Sequence, residues 1–239
     1  MNRRSTLKLL PLGLLSGCSA STPNTPQNNQ LENCQIFEDF ISAENEEGIG
    51  FLGAGSSRHE EVREAFRLLW DSPRTSNHMQ IARYFEGIKS INTNERDAAG
   101  NYPRYNEEWV TVSNPLITSF FGMTNTLPAK GDVVPWCSAF VSFVIYAAGK
   151  IPKFSAASKA YRKYSTETNS PNYGDLAVFE NRKNTNLGHV GFFVERKDAG
   201  IMVLGGNQRG NTGSTGAITT SLYKHDHPVL KLHSFRSMT

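Results

Sequence analysis

The residues best suited to chemistry in this chain are a cysteine, a histidine and a pair of amides, all in its second half. Cys137 follows Pro135-Trp136 and opens the apolar run Ser138 to Ala148. A thiol at the first turn of a helix meets unpaired backbone N–H groups and the positive end of the helix dipole, both of which favour thiolate. Free cysteine titrates near ~8.5, and such a setting or an adjacent imidazolium lowers this to about 3.5 to 7.5. The plain alternative is a structural cysteine that starts a core helix. His189 favours the chemical reading, because it stands at the entrance of a strand-like run with Gly188 before it and Gly191 just after. Small neighbours let another segment approach the ring. A cysteine on a helix and a histidine far along the chain meet only in the fold, as a nucleophile and its base do.

Hairpin register supplies a third candidate. If the chain turns around Lys197-Asp198-Ala199-Gly200, a three-residue loop sets His189 opposite Asn207, and a two-residue loop sets it opposite Gln208. Opposed residues share a sheet face, so either amide is placed to orient the imidazole. The glycine pair Gly205-Gly206 and a three-residue turn closed by a left-handed Gly200 favour Asn207, with Gln208 as the alternative.

The elements that must hold these groups follow from periodicity. Phe140, Val141, Val144 and Ile145 form one apolar helical face, Gly149 suits the position just past the helix end, and Pro152 lies beyond it. Strand-like runs then occupy Asp175 to Glu180, Val190 to Glu195, Ile201 to Leu204, Ala217 to Tyr223 and Val229 to Phe235. A helix followed by sequential antiparallel strands is an α+β order. Before this, Val62, Phe66, Leu69 and Trp70 recur at helical spacing, Ile81, Tyr84, Phe85 and Ile88 do so again, and Asp71-Ser72-Pro73 separates them. Asn92 to Glu108 reads as a long loop. His59 and His78 read as solvated surface residues, and His225-Asp226-His227 as a polar hairpin turn that lacks the partners of a metal site.

The first residues read as an address. Arg3, Arg4 and Lys8 precede a short apolar stretch, Leu9 to Leu15, too brief to span a bilayer, and Leu15-Ser16-Gly17-Cys18 follows. The paired arginines resemble the twin-arginine export pattern, and the last four residues resemble a bacterial lipobox, which implies lipidation of Cys18 and a membrane anchor facing the cell envelope. Ser19 after the cysteine resembles outer-membrane sorting. Ser19 to Gln30 is polar and Pro-bearing, a tether. The expected organisation is a signal over 1–17, a tether over 18–30, a mainly helical region over 31–113 and the chemical domain over 114–239. Cys34 and Cys137 are then the remaining thiols, and a disulfide between them is the less favoured reading, since it would consume the reactive group.

Of 239 residues, 38% are apolar and 20% charged, an ordinary globular balance for one domain with an added lobe. The formal charge is +3, but Arg3, Arg4 and Lys8 account for the excess, leaving 22 basic against 22 acidic residues. A neutral body without a basic stripe argues against nucleic-acid binding.

Four segments in order, Asp132-Val133-Val134-Pro135-Trp136-Cys137-Ser138-Ala139-Phe140-Val141, Gly174-Asp175-Leu176-Ala177-Val178-Phe179, Gly188-His189-Val190-Gly191-Phe192 and Val203-Leu204-Gly205-Gly206-Asn207-Gln208, resemble the motifs of papain-fold bacterial cell-wall hydrolases of the NlpC-like and CHAP-like superfamily, over about 114–208. The resemblance implies a papain-like α+β fold and a cysteine amidase or endopeptidase of peptidoglycan without metal or other cofactor. It makes Cys137 the nucleophile, His189 the base and Asn207 the orienting residue. CHAP-like enzymes commonly carry a glutamate two residues before that asparagine, where this chain has Gly205, and Ser138 replaces the usual alanine. The reading from another class is a non-enzymatic lipoprotein that holds cell-wall peptides in the same cleft.

Overall fold

The computed structural model describes residues 58–96, 100–126, 131–209 and 216–239. The signal, the tether, Cys18 and Cys34 lie outside the described residues. Among the described residues four α-helices, α1 (His59–Trp70), α2 (His78–Glu86), α3 (Pro115–Ser119) and α4 (Cys137–Ala147), precede six strands, β1 (Glu167–Thr168), β2 (Leu176–Asn181), β3 (Gly188–Lys197), β4 (Gly200–Gln208), β5 (Ala217–Lys224) and β6 (Leu230–Arg236). The strands form one antiparallel sheet in the order β1-β6-β2-β3-β4-β5. This is the α+β arrangement expected from the sequence, with each strand-like run present. The short β1 at the sheet edge and the five-residue α3 are additions.

Local chemistry explains the element ends. Asn77 caps α2 by accepting from the N–H groups of Met79 and Gln80 at 3.1 and 3.3 Å. Asn114 caps α3 through Leu116 N–H at 2.9 Å, with Pro115 at the first helical position, where no N–H is needed. Helix α4 ends at Ala148, and Gly149 takes the left-handed φ of 74° that an L side chain resists.

Helix α4 packs against β3 and β4 and buries nearly its whole surface: Ala139, Phe140, Val141, Val144 and Ile145 are fully buried, as is Trp136 just before it. Each large apolar side chain so enclosed contributes about 1.5–3 kcal/mol. One core runs from Ala65 and Leu68 through α2, α3 and α4 to the sheet residues Leu176, Val178, Val190, Phe192 and Leu204. A second, smaller cluster of Ala177, Phe179, Phe193, Ile201, Val203 and Phe235 uses the alternate residues of the same strands, as the two-residue period of a strand requires.

The core is continuous across residue 114. Phe85 on α2 meets Phe120, Phe140 and Phe143 edge-on, with centroids at 5.5, 6.4 and 5.5 Å, so the helices of the first half brace α4 directly. In α1 the buried stripe is Glu61, Ala65 and Leu68, one step round from the expected face, and Trp70 is 70% exposed. The segment from Asn92 to Glu108 is largely irregular in its described part, pinned by the isolated bridge between Ile91 and Arg104.

His78 departs from the surface reading. Its ring lies 5.4 Å from that of Phe192, and its Nε2 hydrogen-bonds the carbonyl of Gly174 at 2.9 Å, tying α2 to the entry of β2. Burial pushes its pKa below the usual histidine range. Sequence patterning missed this because a histidine among polar neighbours gives no signal of a partner 96 residues away.

Candidate active site

Cys137 is the first residue of α4, and no side chain caps that helix end. It carries a free thiol and is 4% exposed. The lowered thiol pKa expected from the helix position is corrected by burial: desolvation pushes the thiol up to about 11, while hydrogen bonds from the backbone N–H groups of Val190, Ser138 and Cys137 itself oppose the rise. Dipole and donors are present, but loss of water around the sulfur outweighs them.

His189 enters on β3, paired with Phe179 of β2, and is 6% exposed. Its ring stacks on that of Tyr223 at 5.3 Å and 19°, and His227 stacks on the same tyrosine at 5.9 Å and 25°. Burial, and secondarily repulsion from His227, lowers the His189 pKa to about 4. The resting site therefore holds a neutral thiol and a neutral imidazole. The mutual attraction of thiolate and imidazolium, formed together, is the interaction that opposes this.

Cys137, His189 and Asn207 line one cavity of 590 Å³, to which Gln208, Tyr223 and His227 also contribute. His227, expected as part of a surface hairpin, is a wall of this cavity; its Nδ1 accepts from the N–H groups of Val229 and Leu230 at 3.2 and 3.0 Å, which fixes the ring. No sequence signal set it apart from His225.

The hairpin between β3 and β4 differs from both registers considered. Lys197 pairs with Gly200, so Asp198-Ala199 form a two-residue loop, and Gly200 does not take a left-handed φ. An irregularity between Phe193 and Glu195 then inserts one residue into β3. Beyond it, Phe193 faces Val203 and Phe192 faces Leu204, the alignment that leads His189 toward Asn207. A second irregularity, between Gly205 and Gln208, sets Asn207 in a left-handed conformation with φ 55° at the cavity wall. Sequence reasoning counted loop residues and had no means to see a bulge.

One glycine and a tryptophan bring the pieces together. A β-carbon on Gly206 would lie 2.3 Å from Cζ3 of Trp136 and 2.8 Å from Cβ of Phe140, so glycine is what lets β4 close on the start of α4. Trp136 is fully buried, and its Nε1 donates to Glu108 Oε1 at 2.8 Å. Among the described residues no three His, Cys, Asp or Glu side chains are grouped to hold a metal ion. Among the same residues no helix is long and apolar enough to cross a membrane.

Residues 129–207, which include Cys137, His189 and Asn207, match the CHAP domain family. The match covers about a third of the chain, beginning just before α4 and ending on β4. The CHAP domain family is papain-like and generally hydrolytic on peptidoglycan. No curated protein and no solved structure matches the chain.

Proposed function

We propose that this protein is an exported, lipid-anchored cysteine hydrolase that cleaves peptide or amide bonds in peptidoglycan through Cys137, His189 and Asn207. The observation that carries the reading is that a free thiol at a helix N-terminus and a strand histidine line one cavity inside a CHAP domain. His189 takes the proton of the Cys137 thiol as the sulfur attacks the carbonyl carbon of the scissile amide. The carbonyl oxygen gains the negative charge, held by backbone N–H groups at the uncapped start of α4. Collapse of the tetrahedral intermediate breaks the C–N bond, with the His189 imidazolium giving its proton to the leaving amine. Water, activated by the same imidazole, then hydrolyses the thioester and restores the thiol. Asn207 supplies the third polar group at the cavity wall. Each of these steps uses only side chains and water, so the reading needs no metal or other cofactor, and peptidoglycan is its one macromolecular partner.

The burial of Cys137 and His189, which favours the uncharged pair, lends weight to the second reading, a lipoprotein that binds cell-wall peptides without cleaving them. Incubation with purified peptidoglycan, followed by mass spectrometry of the soluble products, separates the two. New amino or carboxyl termini that are absent with Cys137→Ala support the hydrolase; retention of peptidoglycan fragments with no new termini supports the binding protein. The anchor is tested separately: Cys18→Ser moves the protein from the membrane fraction to the soluble fraction if Cys18 is lipidated, because several acyl chains are needed for firm attachment.

A further inference from the structure

Two buried polar atoms in the site, Nε2 of His189 and Oε1 of Gln208, have no hydrogen-bond partner among the described residues. His189 is 6% exposed and Gln208 3%. Unpaired buried groups are rare in folded proteins and usually mark a functional constraint. The two side chains meet over Gly205. A β-carbon on Gly205 would lie 3.2 Å from His189 Nε2, 3.1 Å from Gln208 Nε2 and 3.4 Å from Gln208 Cδ. Gly205 does not have a left-handed φ, so its glycine serves space and not conformation, leaving a notch between the imidazole and the amide.

The amide cannot turn over in that notch. Its Nε2 donates toward three backbone carbonyls, those of Gly205 at 3.0 Å, Thr219 at 2.5 Å and Val203 at 3.3 Å. Carbonyls only accept, so the nitrogen belongs on that side and the atom left over is the oxygen, itself an acceptor. An acceptor beside an unpaired imidazole nitrogen selects the tautomer in which that nitrogen carries hydrogen.

We propose that Gln208 is the positioning residue of His189, its Oε1, which is not bonded to the ring in this structure, accepting the Nε2–H proton through one bridging water. The Nε2–H tautomer leaves the Nδ1 lone pair to take the thiol proton of Cys137, and the imidazolium so formed keeps its Nε2–H on Gln208. Asn207, held in the left-handed conformation at the cavity wall, is then free to meet the substrate. The inference rests on the reading of Cys137 and His189 as the reacting pair.

The test reads the tautomer of His189 in the full chain by ¹⁵N-histidine NMR near neutral pH, its signals assigned by their loss in His189→Gln. The wild type shows Nε2–H, and Asn207→Ala keeps it. Gln208→Leu, which retains volume without an acceptor, and Gly205→Ala, whose methyl would stand 3.2 Å from His189 Nε2 and 3.1 Å from Gln208 Nε2 and so press the two side chains apart, both lose the single tautomer. Both lower kcat on peptidoglycan on the order of ten-fold with KM little changed. If Gln208→Leu fails to fold, Gly205→Ala decides. An Nδ1–H tautomer in the wild type, or retention of the single Nε2–H tautomer in either folded variant, overturns the proposal. The tautomer needs no turnover to be read, so a protein that cleaves nothing yet shows this dependence refutes the hydrolase reading and keeps the Gln208 assignment.

Discussion

Gly206 on β4 lies so close to Trp136 that a single added carbon would stand 2.3 Å from the indole ring. Backbone of the strand bearing Asn207 and the residue preceding Cys137 are thus in direct apposition. Gly206→Ala forces either the fully buried Trp136 or the start of α4 to move, and overpacking of this kind costs about 1–3 kcal/mol. Urea unfolding is expected to show that loss, with turnover reduced as well because Cys137 is the next residue. Unchanged stability would mean that the strand does not approach the helix this closely.

Cys137→Ala and His189→Ala are each expected to lower hydrolysis of peptidoglycan by at least about a hundred-fold, and the double variant to lose no more than the worse single one, because the two act as one unit. Asn207→Ala should lose less. A double variant whose losses multiply would show that the two residues act independently.

The contribution of His189 to stability is expected to be lost on acidification between pH 6.5 and 4. Buried His189 has its pKa lowered to about 4, so in that window the unfolded chain binds a proton that the folded chain excludes. That contribution rises with pH through the window and is lost as pH falls, by about 3 kcal/mol for the full shift, while Asp132, whose carboxyl burial pushes up to about 6, acts with the opposite sign over much of the same range. His78 contributes with the sign of His189 through its own burial. The difference between wild type and His189→Gln in thermal or urea unfolding across this range isolates the His189 part; parallel curves would contradict it.

Asn114 joins the loop before it to α3 with three hydrogen bonds: it caps Leu116 and donates to the carbonyls of Tyr105 and Glu107 at 2.9 and 2.8 Å. Asn114→Ala removes a cap and leaves buried carbonyls unpaired, so a loss of about 2–4 kcal/mol is expected in equilibrium unfolding. A near-neutral result would show that the loop and α3 are held by packing alone.

Much of this architecture was legible from short-range pattern. The apolar face of Phe140, Val141, Val144 and Ile145 announces a buried helix, Gly149 its end, and the alternating runs from residue 175 onward announce the sheet. Cys137 and His189 stood out because a thiol at a helix start and an imidazole between glycines are unusual placements that need no distant information to notice. The short-range pattern failed where one residue changes the outcome, at Val194 within the β3 irregularity, because an extra residue in a strand leaves composition and alternation almost unaltered.

What the sequence by itself determined, then, is the order of helix and strands, the motifs that match the CHAP domain family and the placing of Cys137 at a helix start and His189 on a strand. Those depend on periodicity and residue type, which act over a few positions. Only the tertiary structure decided that burial outweighs the helix dipole at Cys137, that His227 joins the cavity, that Phe85 braces α4 and that Gln208 lies across Gly205 from His189. Desolvation, ring contacts and hydrogen bonds between distant segments depend on which atoms exclude water from which others, and that is defined only when the whole chain has packed.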